Sequence, residues 1–178
     1  MDRTLNAYEF KTRRRNTLLS IIPISLRRAA YKCAYAVLRL YWFIVQPQVR
    51  GALALLIHTD QLLLIRNTYG RPGWTLPGGI LKRHELPAVG IHREVQEEIG
   101  IAVDGLRQVG VFNGRQAYRH DTIYVFVAQV SRPTFKIDPG EILDAHWFPL
   151  ADLPPLSTYA HRAIQLCQLQ PKKNNCQR

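Results

Sequence analysis

Between Leu86 and Gly100 one short stretch carries two patterns that pull against each other. Ala88, Ile91, Val95 and Ile99 recur at offsets of 3, 4 and 4, which predicts an amphipathic helix over Leu86–Ile99. Pro87 stands where a first helical turn tolerates it, and Gly100 where a left-handed C-terminal cap belongs. On the same helix Glu94, Glu97 and Glu98 lie at offsets of 3 and 4, which puts three carboxylates on one face beside the apolar stripe. Like charges at that spacing repel and weaken a helix. Arg93 reaches Glu97 at an offset of 4, but one guanidinium cannot neutralise three acids. The face is either an ordinary solvated one or it is completed by a cation. Clustered oxygen ligands suit Mg2+, with Mn2+ as a substitute, because these ions take carboxylates together with waters or substrate phosphates.

The surroundings change period. Val49–Thr59 and Gln61–Thr68 are apolar runs separated by Asp60, which predicts two strands and a tight turn. Arg71–Ile80 is a Gly/Pro-rich loop that contains Trp74. Arg107–Phe112 and Thr122–Val130 read as strands, with a hairpin turn expected at Asn113–Arg115. Glu141–Leu150 reads as a further strand, and Pro154 and Pro155 lead into a last helix over Ser157–Leu169. Strands around one central helix, closed by another, make an α/β fold of the mixed sandwich type.

Charge divides the 178 residues unevenly. The net charge is +11, of which residues 1–50 hold +8 (ten Lys/Arg against Asp2 and Glu9) and the remainder only +3. Three segments are expected: a basic helical arm over 1–47, a domain over 48–170 and a polar tail over 171–178. Within the arm, Arg27–Val45 has no Gly or Pro and predicts one helix, with Arg28, Lys32 and Arg39 on one face and a broad aliphatic and aromatic remainder. That pattern fits packing on the domain or on a second copy in a homodimer. It also fits a helix lying on an anionic membrane, and an arm this basic is suited to gripping RNA. No run approaches the roughly 18 apolar residues a spanning helix needs. Residues 13–26 imitate the start of a signal peptide but no small-residue cleavage site follows. Three cysteines without CxxC spacing argue against a disulfide framework and favour a reducing, cytoplasmic setting.

From Gly79 the order runs five residues, Glu85, seven residues, Arg93-Glu94, Val95, Gln96, Glu97-Glu98, Ile99, Gly100 and Ile101. This resembles, position for position, the Nudix box of the Nudix hydrolase family. Trp74–Gly79 and Glu141–Pro154 resemble its usual flanks. The resemblance spans about residues 48–169, not the arm, and implies a Nudix-type α/β/α sandwich with a mixed sheet. It also implies a Mg2+-dependent hydrolase that cleaves the pyrophosphate bond of a nucleoside diphosphate linked to another moiety: a nucleotide sugar, a dinucleoside polyphosphate or an NTP. By the same resemblance Glu94 and Glu98 are the foremost metal ligands, with Glu97 in the cluster, Glu85 acting through water and the Gly78 carbonyl as a further ligand. Arg93 orients the carboxylates, and Glu94, Glu97 or the loop acid Glu141 is the general base.

Two positions depart from the family. His84 stands where relatives often have Gly, which is expected to change the loop, and Gly90 sits mid-helix, where close packing would explain it. For substrate contact, Trp74 is a base-stacking candidate and Arg66 and Arg119 are phosphate or ribose candidates. Tyr118 lies where dinucleoside polyphosphate hydrolases often carry Tyr. The Pro typical of ADP-ribose hydrolases is missing at Gln116–Ala117. The other functions considered are an RNA-end pyrophosphohydrolase, a membrane-surface hydrolase and a non-catalytic nucleic-acid binder on the same fold. The retained acids weigh against the last.

Overall fold

The computed structural model describes residues 23–70, 73–103 and 105–168. The Arg13–Arg15 run, Arg71 and the 171–178 tail lie outside the described residues. Among the described residues are three helices, α1 (Ile24–Val45), α2 (Pro87–Ile99) and α3 (Thr158–Gln168), and six strands. The strands are β1 (Gln48–His58), β2 (Gln61–Asn67), β3 (Gly78–Ile80), β4 (Arg107–Gln116), β5 (Arg119–Gln129) and β6 (Ile142–Pro149). They form one mixed sheet in the order β4-β5-β1-β2-β6, with β3 added against β1.

The central strand explains the topology. β1 is buried without interruption from Gly51 to Ile57, as a strand covered on both faces must be. It runs parallel to β5 from Gln48↔His120 to Ile57↔Gln129. On its other edge it pairs with β2 only at Ile57 and His58, next to the turn. The two strands then part, and the segment after Gly73 fills the gap. Thr75 and Ile65 exchange backbone hydrogen bonds, Ala54 N–H donates to the Pro77 carbonyl, and β3 pairs with Gly51–Leu53. The Gly/Pro-rich loop is therefore partly sheet, inserted where β1 and β2 diverge.

Each face carries one helix. Ile91, Val95 and Ile99 of α2 pack with Leu56, Leu63, Ile65 and Phe126 on one side. Ala160, Ala163 and Ile164 of α3 pack with Leu55, Leu62, Leu64 and Val125 on the other. Gly100 ends α2 in the left-handed conformation, φ 64°, with its N–H on the Gln96 carbonyl, as expected. Gly90 is explained by packing, though against the preceding loop rather than the sheet: an added methyl would meet Leu81 and lie 3.0 Å from Glu85 Oε2.

Two expectations are corrected, and one position is explained. The β4–β5 turn falls at Ala117–Tyr118, both at positive φ (48° and 69°), not at Asn113–Arg115. Asn113–Arg115 continue β4, and Gly114 is small because the Tyr159 ring lies across it. His84 adopts the left-handed φ of 62° that Gly would take freely. Cys33 is free and exposed, but Cys167, buried in α3, is disulfide-bonded; Cys176 lies outside the described residues.

The arm helix is docked, not loose. Its inward stripe of Arg27, Tyr31, Tyr35 and Trp42 meets the loops at one end of the sheet. Tyr31 and Tyr35 pack on Tyr69 with centroids 5.8 and 5.6 Å away, and the Arg119 guanidinium lies 4.4 Å over Trp42. Helix α1 ends at Gln46, in the left-handed conformation, and enters β1 two residues later.

Candidate metal and catalytic site

The inserted strand places two glycines directly under α2. At Gly78, φ is 139° and a side chain would collide with the Ala52 carbonyl. Its N–H donates to Glu98 Oε2 at 2.9 Å. At Gly79 a methyl would lie 2.6 Å from Glu94 Oε2. Two carboxylates one helical turn apart thus rest on a backbone from which side chains are excluded.

The three helix acids do not share a face equally. Glu98 is 5% exposed, Glu94 is half-buried, and Glu97 points outward. The difference follows from the helical turn: offsets of 3 and 4 diverge by about 100°, and only the Glu94–Glu98 row coincides with the face anchored by Ile91, Val95 and Ile99. Burying those three aliphatic side chains contributes about 1.5–3 kcal/mol each. Together they can carry a buried Glu98 carboxylate, whose desolvation costs several kcal/mol.

Arg93 binds three acids at once. Its Nε and Nη2 donate to Glu85 Oε1 and Oε2, both at 2.9 Å, and its Nη1 donates to Glu94 Oε1 at 2.6 Å and Glu97 Oε2 at 3.2 Å. This fork, aided by the Lys82 N–H, holds Glu85 down to about 2. The same carboxylates raise Arg93. Glu94 and Glu98 move the other way. Burial raises Glu94 despite Arg93, and burial followed by the Glu94 charge raises Glu98 well above the ordinary range. Glu141, at the end of the loop before β6, adds its charge to both.

That loop is tied to two helices. Asp138 N–H donates to the Glu98 carbonyl at 3.0 Å, and Lys136 N–H to the Ile99 carbonyl at 2.9 Å. From α1, Arg27 Nη2 reaches both oxygens of Asp138 at 2.6 and 2.9 Å, and Arg28 Nε reaches the Pro139 carbonyl at 3.1 Å. Burial, followed by the Glu141 carboxylate, raises the Tyr31 hydroxyl to about 12. Tyr69 is raised as well, first by burial and then by Glu141, Glu98 and Glu94. Sequence reasoning missed Tyr31, Asp138 and the placement of Tyr69 beside the acids. Arg27 and Asp138 are 111 positions apart, and no local pattern links them.

The donor set suits a divalent cation. Two half-buried to buried carboxylates, with Glu97 and Glu141 nearby, exceed the charge that Arg93 supplies. Among the described residues no three His, Cys, Asp or Glu groups close on a ready-made metal position. Arg93 draws the Glu94 and Glu97 oxygens towards itself. Mg2+ is held by one or two carboxylates with water and phosphate oxygens completing its shell, so Glu94, Glu98 and the neighbouring backbone fit the group.

The substrate candidates fall outside this cluster. Trp74 and Arg66 stand with the α3-side core: Arg66 lies 4.8 Å over the Trp74 ring and pairs with Asp144 at 2.6 Å, while Trp74 meets Phe148 edge-on at 4.7 Å. Tyr118 and Arg119 sit at the β4–β5 turn, Tyr118 against Phe43 and Arg119 against Asp121 and Trp42. His120 of that turn is level with Gln48, and Gly78 is level with Leu53, five residues along β1. That is about 17 Å at strand rise.

Comparison with known proteins agrees with this geometry. The NUDIX domain family model matches residues 47–169. Over 124 residues the chain is 31% identical to an NAD-capped RNA hydrolase NudC of Chromobacterium violaceum, covering 67% of this chain and 46% of that protein. It is 33% identical to one from Escherichia coli, covering 67% and 48%. The chain thus spans about half the length of the curated relatives it matches. A crystal structure of a MutT NUDIX hydrolase from Burkholderia pseudomallei superposes with a TM-score of 0.62 at 26% identity, covering 67% of this chain and 97% of that one.

Proposed function

The chain belongs to the Nudix hydrolase family, and from that membership we propose that it is a Mg2+-dependent hydrolase. Its substrate class is a nucleoside diphosphate joined through pyrophosphate to a second moiety. The observation that carries this reading is the buried Glu94–Glu98 pair resting on Gly78 and Gly79, with Arg93 as its nearest cation.

Glu94 and Glu98 hold the ion, the Gly78 carbonyl and Glu97 are further ligands, and Glu85 belongs to the outer set. When bound, the ion screens the diphosphate oxygens, acidifies a water and stabilises charge on the leaving phosphate. The chain's own groups do the rest. Arg93 fixes the orientation of Glu85, Glu94 and Glu97. Glu141, beside Tyr31, accepts the proton of the attacking water. The new P–O bond forms as the bridging P–O bond breaks, and the second phosphate leaves. Tyr69, kept protonated by burial and by the acids around it, remains a donor for a phosphate oxygen at neutral pH.

The relatives favour one branch of the class, a dinucleotide-type pyrophosphate at an RNA end, since both are named as hydrolases of NAD-capped RNA. The +8 of residues 1–50 suits a polyanion of that kind. The test is a panel of nucleotide sugars, dinucleoside polyphosphates, NTPs, NADH and capped or triphosphorylated RNA, with Mg2+ or Mn2+. Glu98→Gln is run beside the wild type, and melting is followed with and without Mg2+. Turnover by the wild type, lost in the variant together with the Mg2+-induced rise in Tm, is the expected result. Unchanged turnover in Glu98→Gln would falsify the assignment.

A further inference from the structure

Helix α1 has a second face. Its inner stripe is spent on Tyr69, Asp138, Glu141 and Arg119, but Leu26, Cys33, Val37, Leu40 and Ile44 lie on the opposite side at offsets of 7, 4, 3 and 4. All are exposed, Leu26 at 60%, Val37 at 68%, Leu40 at 62% and Ile44 at 72%. The positions between them on that face, Ala29, Ala30 and Ala36, are small, apolar and exposed too. Phe43 at 57% widens the face towards Tyr118, with an open cleft between them lined by Ala36, Arg39 and Leu40. Continuous apolar surface of this kind marks an interaction site.

We propose that this outer face of α1 docks the protein flat on an anionic lipid surface, the helix lying in the interface with its apolar side in the acyl boundary. Charge selects this occupant. No Asp or Glu occurs from residue 10 to residue 59. Of the four cations on α1, Arg27 and Arg28 are held by the 138–139 loop. Lys32 and Arg39 are exposed along one edge of the apolar face, and no carboxylate pairs with either among the described residues. An apolar face edged by cations is the pattern of helices that lie on anionic membranes. A second copy across a two-fold axis would instead bring these cations together with nothing acidic on α1 to oppose them. Among the described residues no helix is long and apolar enough to cross a membrane. The inference does not depend on the reaction catalysed.

The test is sedimentation of the full chain with vesicles of phosphatidylcholine alone and of phosphatidylcholine with one quarter phosphatidylserine, at low and at physiological salt. The vesicle-free oligomeric state is measured by analytical ultracentrifugation. The wild type is expected to pellet with the anionic vesicles, less so as salt rises. Val37→Glu/Leu40→Glu abolishes pelleting while leaving the melting temperature intact, since both side chains face away from the fold. Lys32→Ala and Arg39→Ala each weaken it roughly fivefold. Equal pelleting with both vesicle types overturns the proposal, as does none with either. So does a vesicle-free dimer that Val37→Glu/Leu40→Glu dissociates, because the face would then belong to a second copy.

Discussion

Breaking the bond between Arg93 and Glu85 gives a measurable number. The two side chains are only 12% and 11% exposed and share a two-point fork at 2.9 Å, so the pair is screened little by solvent. Arg93 holds Glu85 from the ordinary 4.5 down to about 2. A shift of that size corresponds to about 3 kcal/mol at pH 7. Because the folded value lies below the unfolded one, this contribution is complete above about pH 4.5 and is lost as pH falls towards 2. At pH 3 about 1.4 kcal/mol should remain. Urea unfolding of the wild type, Arg93→Met, Glu85→Gln and the double variant, in chelator at pH 7 and pH 3, isolates the coupling. The cycle cancels the opposite drift of Glu94 and Glu98. A coupling below about 1 kcal/mol at pH 7, the level of a surface pair, would refute the reasoning. A coupling that does not shrink on acidification would refute it as well.

Other substitutions probe the same loop and helix. His84→Gly should stabilise the fold by about 1 kcal/mol, because it relieves a left-handed residue; equilibrium unfolding measures it, and a loss of stability would contradict that account. Gly79→Ala should lower turnover at least tenfold through the methyl set against Glu94, with much less effect on melting; unchanged turnover at any Mg2+ concentration would show that Glu94 moves aside freely. Tyr31→Phe should reduce kcat about tenfold with KM and Tm held, because only the hydroxyl beside Glu141 is removed; equal changes in kcat and Tm would make Tyr31 a packing residue.

What the sequence could carry depended on distance along the chain. Helix α2 and its acids were readable because Ala88 to Gly100 is one continuous periodic pattern with its own cap. The division of labour among the acids was not, since Glu98 is met by Gly78, twenty residues earlier, and by Asp138, forty residues later. The β4–β5 turn misled because Asn113-Gly114 is a strong turn signal, yet Gly114 serves the Tyr159 ring that crosses the strand. Ala117 and Tyr118 take up positive φ without announcing it. The partners of the substrate candidates were not legible either: Arg66 stands on Trp74 and Asp144, Trp74 on Phe148, Arg119 on Asp121. The docking of α1 on Asp138 and Glu141 had no local signature.

The inserted segment between β1 and β2 has a consequence for how the chain can be varied. Surface loops ordinarily absorb insertions and deletions. Here Thr75 is tied to Ile65, Pro77 to Ala54 and Gly78–Ile80 to Gly51–Leu53, so the stretch from Trp74 to Ile80 has both its length and its phase locked by neighbours on two sides. One added residue would turn Gly79 away from Glu94 and present a side chain in its place. Upstream, Thr68 is pinned too, its N–H on the Glu141 carbonyl and its hydroxyl on the Gly140 carbonyl. A loop graft within Trp74–Ile80 would therefore dismantle the sheet and displace the two carboxylates together.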